Sequence, residues 1–170
     1  QHFLESEKTY LDRTSAFTLA ACSLARQEAG WEASEAVSAQ TGIVLGTAYG
    51  CLETMHSYYG RVLDRGAKFA GSLLFSHSYA NTPASLAAIE YHLRGFHSTV
   101  CTGLTSGATA LAQAVDALRD GRAEALFTGG VEALSEPLER GLNPYRWPQK
   151  DHFPPYGIIL GEGAAIFLLE

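Results

Sequence analysis

Apolar residues recur along this chain at two periods, and the segments carrying each period alternate. Residues 14–28 (TSAFTLAACSLARQE) place Phe, Leu and Ala at helical spacing, and Gly30 supplies the stop. Residues 41–47 (TGIVLGT) form a short β-branched run with glycines on its flanks, which predicts a buried strand. Residues 52–63 are amphipathic at helical period and rich in tyrosine. A polar turn is expected around 76–78, then a helix over 81–93 ended by Gly95. A second buried strand over 98–103 leads into a helix over 106–119 closed by Gly121, then a strand over 124–128 and a turn at Gly129-Gly130. Residues 135–157 hold Pro137, Pro144, Pro148, Pro154 and Pro155 with little periodicity, and read as an irregular surface loop. Two last strands, 158–160 and 164–169, flank Gly161-Glu162-Gly163. Strands alternating with helices specify an α/β fold with a mostly parallel sheet flanked by helices.

Composition narrows the class. At 170 residues, 46% hydrophobic and 18% charged, the chain is one domain by length and buries most of its apolar surface. A net charge of −6 argues against nucleic acid and anionic membranes, whose phosphates need Lys/Arg surfaces. Cys22, Cys51 and Cys101 match neither a disulfide framework nor a metal-ligand spacing, and point to a reducing compartment. The first residues, QHFLESEK, do not read as a signal peptide, and no apolar run reaches transmembrane length. A cytoplasmic location is therefore expected, with no metal and no cofactor.

The segment 98–107 (STVCTGLTSG) carries the chemistry. A strand, a tight turn and a helix place one side chain at a helix N-terminus, where unpaired N–H groups and the helix dipole favour negative charge. Acyl-transfer enzymes mount a nucleophile there, because a thiolate or an oxyanion is stabilised at that spot. Here the apex is Leu104. Leucine can do none of this chemistry.

Several segments in order resemble the N-terminal half of the β-ketoacyl synthases, the condensing enzymes of fatty-acid and polyketide assembly. They are Tyr10–Thr14, Gly42–Thr47, Asn81–Ser85, His92–Gly95, Thr99-Val100 with the turn, Ala123–Ala133 and Leu160–Ala165. The resemblance implies a thiolase-like layered fold, N-terminal half only. On it, residues 1–170 form a single domain without the family's first strand and without the C-terminal half that holds its catalytic histidines. Active synthases read roughly Thr-Ala-Cys-Ser-Ser at the turn; Leu104 stands where that acylated cysteine belongs.

The turn, with Cys101 ahead of it, is also similar to that of chain-length factors. These are catalytically silent homologues that pair with an active ketosynthase in type II polyketide systems; many carry glutamine at the apex. The resemblance implies a heterodimer through strand 98–102, with acyl carrier protein engaged indirectly and no catalytic residue in this chain. Two other readings stand beside it: a fragment of a divergent acyltransferase using Cys101 or a residue from a second chain, and a free-standing acyl-binding module.

The remaining candidates take structural readings. Cys101 is expected to be a small apolar residue in a buried strand, away from the helix-terminal field. Cys22 is expected in the core, and Cys51 to be partly exposed. His77, His92 and His97 fall at no metal or catalytic spacing and read as solvated or capping. Glu162 reads as structural or as supporting the site, and the resemblance implies that it belongs to a glycine-rich strand crossing near the site floor. Tyr58-Tyr59 reads as an aromatic packing patch, with interface burial as the alternative.

Overall fold

The computed structural model describes residue 4, residues 7–142 and residues 160–170. Four strands form one sheet in the order β2-β1-β3-β4: β1 is Thr41–Gly46, β2 His97–Val100, β3 Ala125–Glu132 and β4 Gly163–Leu169. The pairs β1·β2 and β1·β3 are parallel, and β3·β4 is antiparallel. The expected α/β class with a mostly parallel sheet is what the chain adopts.

Strand periodicity sorts the core onto the two faces of this sheet. Ile43, Leu45 and Phe127 point to one face. There they meet Leu19 and Cys22 of α1 (Arg13–Ala29) and Ala84 and Ala87 of α5 (Thr82–Glu90). Val44 and Leu126 point to the other, against Ala110, Ala114 and Ala117 of α6 (Ser106–Arg119). The alanine stripe of α6 lets its axis approach the sheet closely. Helix α1 starts where Asp12 accepts the Thr14 N–H at 2.8 Å, and it stops at Gly30, whose φ of 64° closes the C-terminus. Tyr91 locks α1 to the end of α5 by donating its hydroxyl to the Leu19 carbonyl at 2.9 Å.

Several expectations are corrected. Residues 76–78 are not a free-standing turn, since helix α4 spans Ser72–His77. A short helix α2, Glu35–Gln40, went unpredicted, although Ser34 caps it through the Val37 N–H at 3.3 Å. Gly129-Gly130 is not a turn but the middle of β3, opposite Ile166 and Ala165. Part of the expected loop is helix α7, Glu136–Leu142, and residues 143–157 of it lie outside the described residues. Of the expected strand 158–160, residues 158 and 159 lie outside the described residues, and Leu160 is not in a strand. The strand expected over 98–103 is shorter and is an edge, half-buried rather than buried, because among the described residues β2 has β1 as its single neighbour. Helix α3 (Leu52–Arg65) forms where the tyrosine-rich pattern placed it.

Candidate functional site

The C-terminal ends of the parallel strands β1 and β3 meet the N-terminus of α6, the place where open α/β sheets present ligand sites. Glycine makes this approach possible. A Cβ on Gly46 would fall 2.3 Å from the backbone of Ser106, and one on Gly107 3.3 Å from the Cα of Gly130. Helix α6 is thereby seated on the sheet with its first turn at the strand ends.

The turn ahead of α6 is held by its own hydroxyls. Ser106 Oγ accepts the Thr102 N–H at 2.9 Å and donates to the Gly103 carbonyl at 2.6 Å. Gly103 adopts φ 72°, the left-handed conformation that the turn requires. Leu104 comes next, in a single 3₁₀ turn, Gly103–Thr105, and is 91% exposed. An isobutyl group held this far out, ahead of a helix N-terminus, offers no lone pair to an electrophile.

Leu104 stands at one wall of a groove of about 640 Å³, lined also by Tyr49, Val131, Leu138, Leu142 and Leu160. The lining is mostly apolar, which suits a hydrocarbon chain better than a polar metabolite. Among the described residues, the charged side chain in the lining is Glu132.

Among the other candidates, Cys101 is exposed and lies after β2 rather than inside a buried strand. The expected burial is wrong, because an edge strand leaves one side of its neighbouring residues uncovered. Its thiol is nevertheless pushed up, first by partial desolvation and then by the Glu132 carboxylate, and so is held away from the thiolate. Cys22 is in the core as expected, with burial pushing its thiol up to about 12. Cys51 is buried, not partly exposed, with its Sγ 3.9 Å from the Ser15 hydroxyl, because α1 covers the start of α3.

His92 and His97 are exposed, and His97 Nδ1 lies 2.7 Å from the Gly95 carbonyl. His77 differs from its solvated reading: its ring packs edge-on against Tyr10 at 5.3 Å, and Nδ1 is buried without a hydrogen-bond partner. Glu162 lies outside β4, not in a strand, and pairs with Arg13. Tyr58 and Tyr59 of α3 join Phe75 of α4 and Tyr79 just after it in an aromatic cluster, with Tyr59 57% exposed. Among the described residues no cluster of His, Cys, Asp or Glu could hold a metal. No helix among them is long and apolar enough to cross a membrane.

Sequence reasoning missed Glu132. Its carboxylate holds the loop after β1, and the available signal was an acidic residue four positions beyond a strand predicted to end at 128.

Residues 1–170 match the family model "Beta-ketoacyl synthase, N-terminal domain". The chain belongs to the β-ketoacyl synthase family. Among its relatives, the "Oxytetracycline polyketide putative beta-ketoacyl synthase 1" of Streptomyces rimosus is 31% identical over 178 residues, covering 94% of this chain and 41% of that protein. The 3-oxoacyl-[acyl-carrier-protein] synthase 2 of Vibrio cholerae is 26% identical over 182 residues, covering all of this chain and 44% of its own length. Of solved structures, "The ishigamide ketosynthase/chain length factor" superposes with a TM-score of 0.77 at 26% identity, over 93% of this chain and 43% of the other. The fold is therefore the N-terminal half of the thiolase-like ketosynthase fold. The chain spans less than half the length of these relatives.

Proposed function

We propose that this member of the β-ketoacyl synthase family is a non-catalytic subunit of the chain-length-factor type, pairing with an active ketosynthase in fatty-acid or polyketide biosynthesis. One observation supports the reading: the turn that the resemblance matches to the family's nucleophile turn is hydrogen-bonded and leads straight into α6, and its apex is Leu104. Condensation needs an atom that can carry the acyl group as a thioester, and leucine has none. The one exposed thiol nearby, on Cys101, is disfavoured as a thiolate.

The surface around the turn supports a partner. From 98 to 115 no residue carries a charge, and Cys101, Thr102, Leu104, Thr105, Ala108, Thr109, Leu111 and Ala112 are all exposed. An open strand edge beside an uncharged helix face, without Lys or Pro gatekeepers, is what a second sheet would pair with. Strand β2 with the residues just after it, to Thr102, is the contact in this reading, and the apolar groove becomes part of the space for the growing chain. These 170 residues carry a net charge of −6, which opposes an acidic acyl carrier protein, so in this reading carrier docking falls mainly to the partner.

The catalytic half of the proposal is tested by incubating the purified chain with acyl-thioester donors and recording intact mass. The expected mass is unchanged. A stable acyl adduct that disappears in Cys101→Ala would overturn the reading in favour of an acyltransferase.

A further inference from the structure

The parallel ladder between β1 and β2 ends where Thr47 donates its N–H to the Val100 carbonyl at 3.0 Å. The next two amides turn to a side chain instead. Glu132 Oε2 accepts the Ala48 N–H at 2.7 Å, and Oε1 accepts the Tyr49 N–H and the Thr47 hydroxyl, both at 3.2 Å. Thr47 Oγ1 in turn accepts the Gly50 N–H at 2.9 Å. Consecutive N–H groups converging on one carboxylate form an anion-binding concavity, and here the chain fills it with its own anion.

Thr47, Ala48, Tyr49 and Glu132 all face the Leu104 groove. The loop beyond β1 has no strand pairing at these amides, so the carboxylate replaces the ladder as the tie that holds this wall. Hydrogen bonds from N–H groups to a charged acceptor are stronger than neutral ones, which suits a single side chain to the task.

We propose that Glu132 is a positioning residue for the Leu104 groove: by holding the 47–49 loop, its carboxylate fixes the wall that carries Tyr49 and thereby sets the apolar ligand the groove admits. The proposal deepens the reading above only in taking the groove as the ligand-facing site. It requires no partner synthase and no catalytic step.

The test measures amide hydrogen exchange at Ala48 and Tyr49, together with binding of the neutral apolar dye Nile red, in the wild-type chain, Glu132→Gln and Glu132→Ala. The glutamine side chain keeps one carbonyl oxygen to accept one of the two amides, and turns an NH₂ donor toward the other. We expect both amides to be protected in the wild type. In Glu132→Gln exchange rises at least about tenfold at one amide and little at the other. In Glu132→Ala it rises at both, and Nile red affinity falls several-fold. A side chain that only filled space would not divide the two amides in this way. Wild-type exchange rates in Glu132→Ala, or Nile red binding unchanged when protection is lost, would overturn the proposal, as would a wild-type chain that takes up no dye. Should Glu132→Ala fail to fold, the split between amides in Glu132→Gln decides. An acyl adduct on Cys101 would remove the silent-subunit reading and leave this one standing.

Discussion

Arg13, the first residue of α1, forks onto the carboxylate of Glu162, the residue before β4, with Nε donating to Oε2 at 2.8 Å and Nη2 contacting Oε1. The same carboxylate accepts the Leu134 N–H at 3.1 Å, so it ties the start of α1 and the segment after β3 to the rim of the groove. The Arg13 hydrogen bond, aided by that amide, pulls the Glu162 carboxyl from 4.5 down to about 2.

A folded pKa below the unfolded one means stability that is present above the unfolded value and lost as pH falls toward the folded one. Wild type should therefore melt above Glu162→Gln near neutral pH, with the gap closing between pH 4.5 and about 2. The pair is at the surface, so added salt should narrow the gap as well. Thermal melts across pH check this. A gap that persists unchanged at the acid end would show that the ion pair is not its source.

The thiols should react in an order that burial sets. With its thiol raised, Cys101 should alkylate at neutral pH more slowly than a free peptide cysteine. Cys22 and Cys51 should react only on unfolding. Time-resolved alkylation with mass readout decides it, and a Cys101 faster than the free peptide would contradict the assigned environment.

Leu104→Cys should create a reactive thiol without creating a condensing enzyme. The position is 91% exposed, so desolvation does not oppose the thiolate, and the nearby α6 N-terminus favours it. The new thiol should titrate below the free value of about 8.5 and outpace Cys101 in alkylation. Carbon–carbon bond formation by this variant alone would reveal catalytic groups in this half that the account lacks.

Gly46→Ala should be among the costlier small substitutions in the chain. Its methyl would meet the Ser106 backbone at 2.3 Å, so α6 must shift off β1. Overpacking of this kind costs about 1–3 kcal/mol, and chemical denaturation should show a loss of at least that size. A neutral effect would mean that α6 is not seated as described.

Much of this fold was legible in the chain because local pattern and final environment agree. β1 carries the apolar run Ile43–Leu45, is buried throughout and has neighbours on both sides; α6 shows its alanine stripe in sequence. The errors lie where partners distant in sequence decide. Gly129-Gly130 carries a turn signal, yet β4 pairs with it, and a Cβ on Gly129 would sit 1.9 Å from the Ala165 carbonyl oxygen. Burial of Cys101 was expected because the segment STVC is uncharged and β-branched and free cysteine is usually buried, but the strand's place at the sheet edge is written in no local residue. Leu104 was legible as the apex because the turn's own residues make it. The Glu132 and Glu162 contacts were not, since they join positions 84 and 149 residues apart.

Partnership is the central claim. An obligate interface of the expected kind buries more than roughly 2,000 Å² of total surface and is hydrophobic, so the chain alone should self-associate or be poorly soluble. Co-expression with a ketosynthase encoded beside it that carries the nucleophilic cysteine, followed by sizing and native mass measurement, is the direct test. The expected result is a soluble complex holding one copy of each chain, lost when Thr109→Lys places a charge on the open α6 face. A chain that runs as a soluble monomer and ignores that ketosynthase would contradict it.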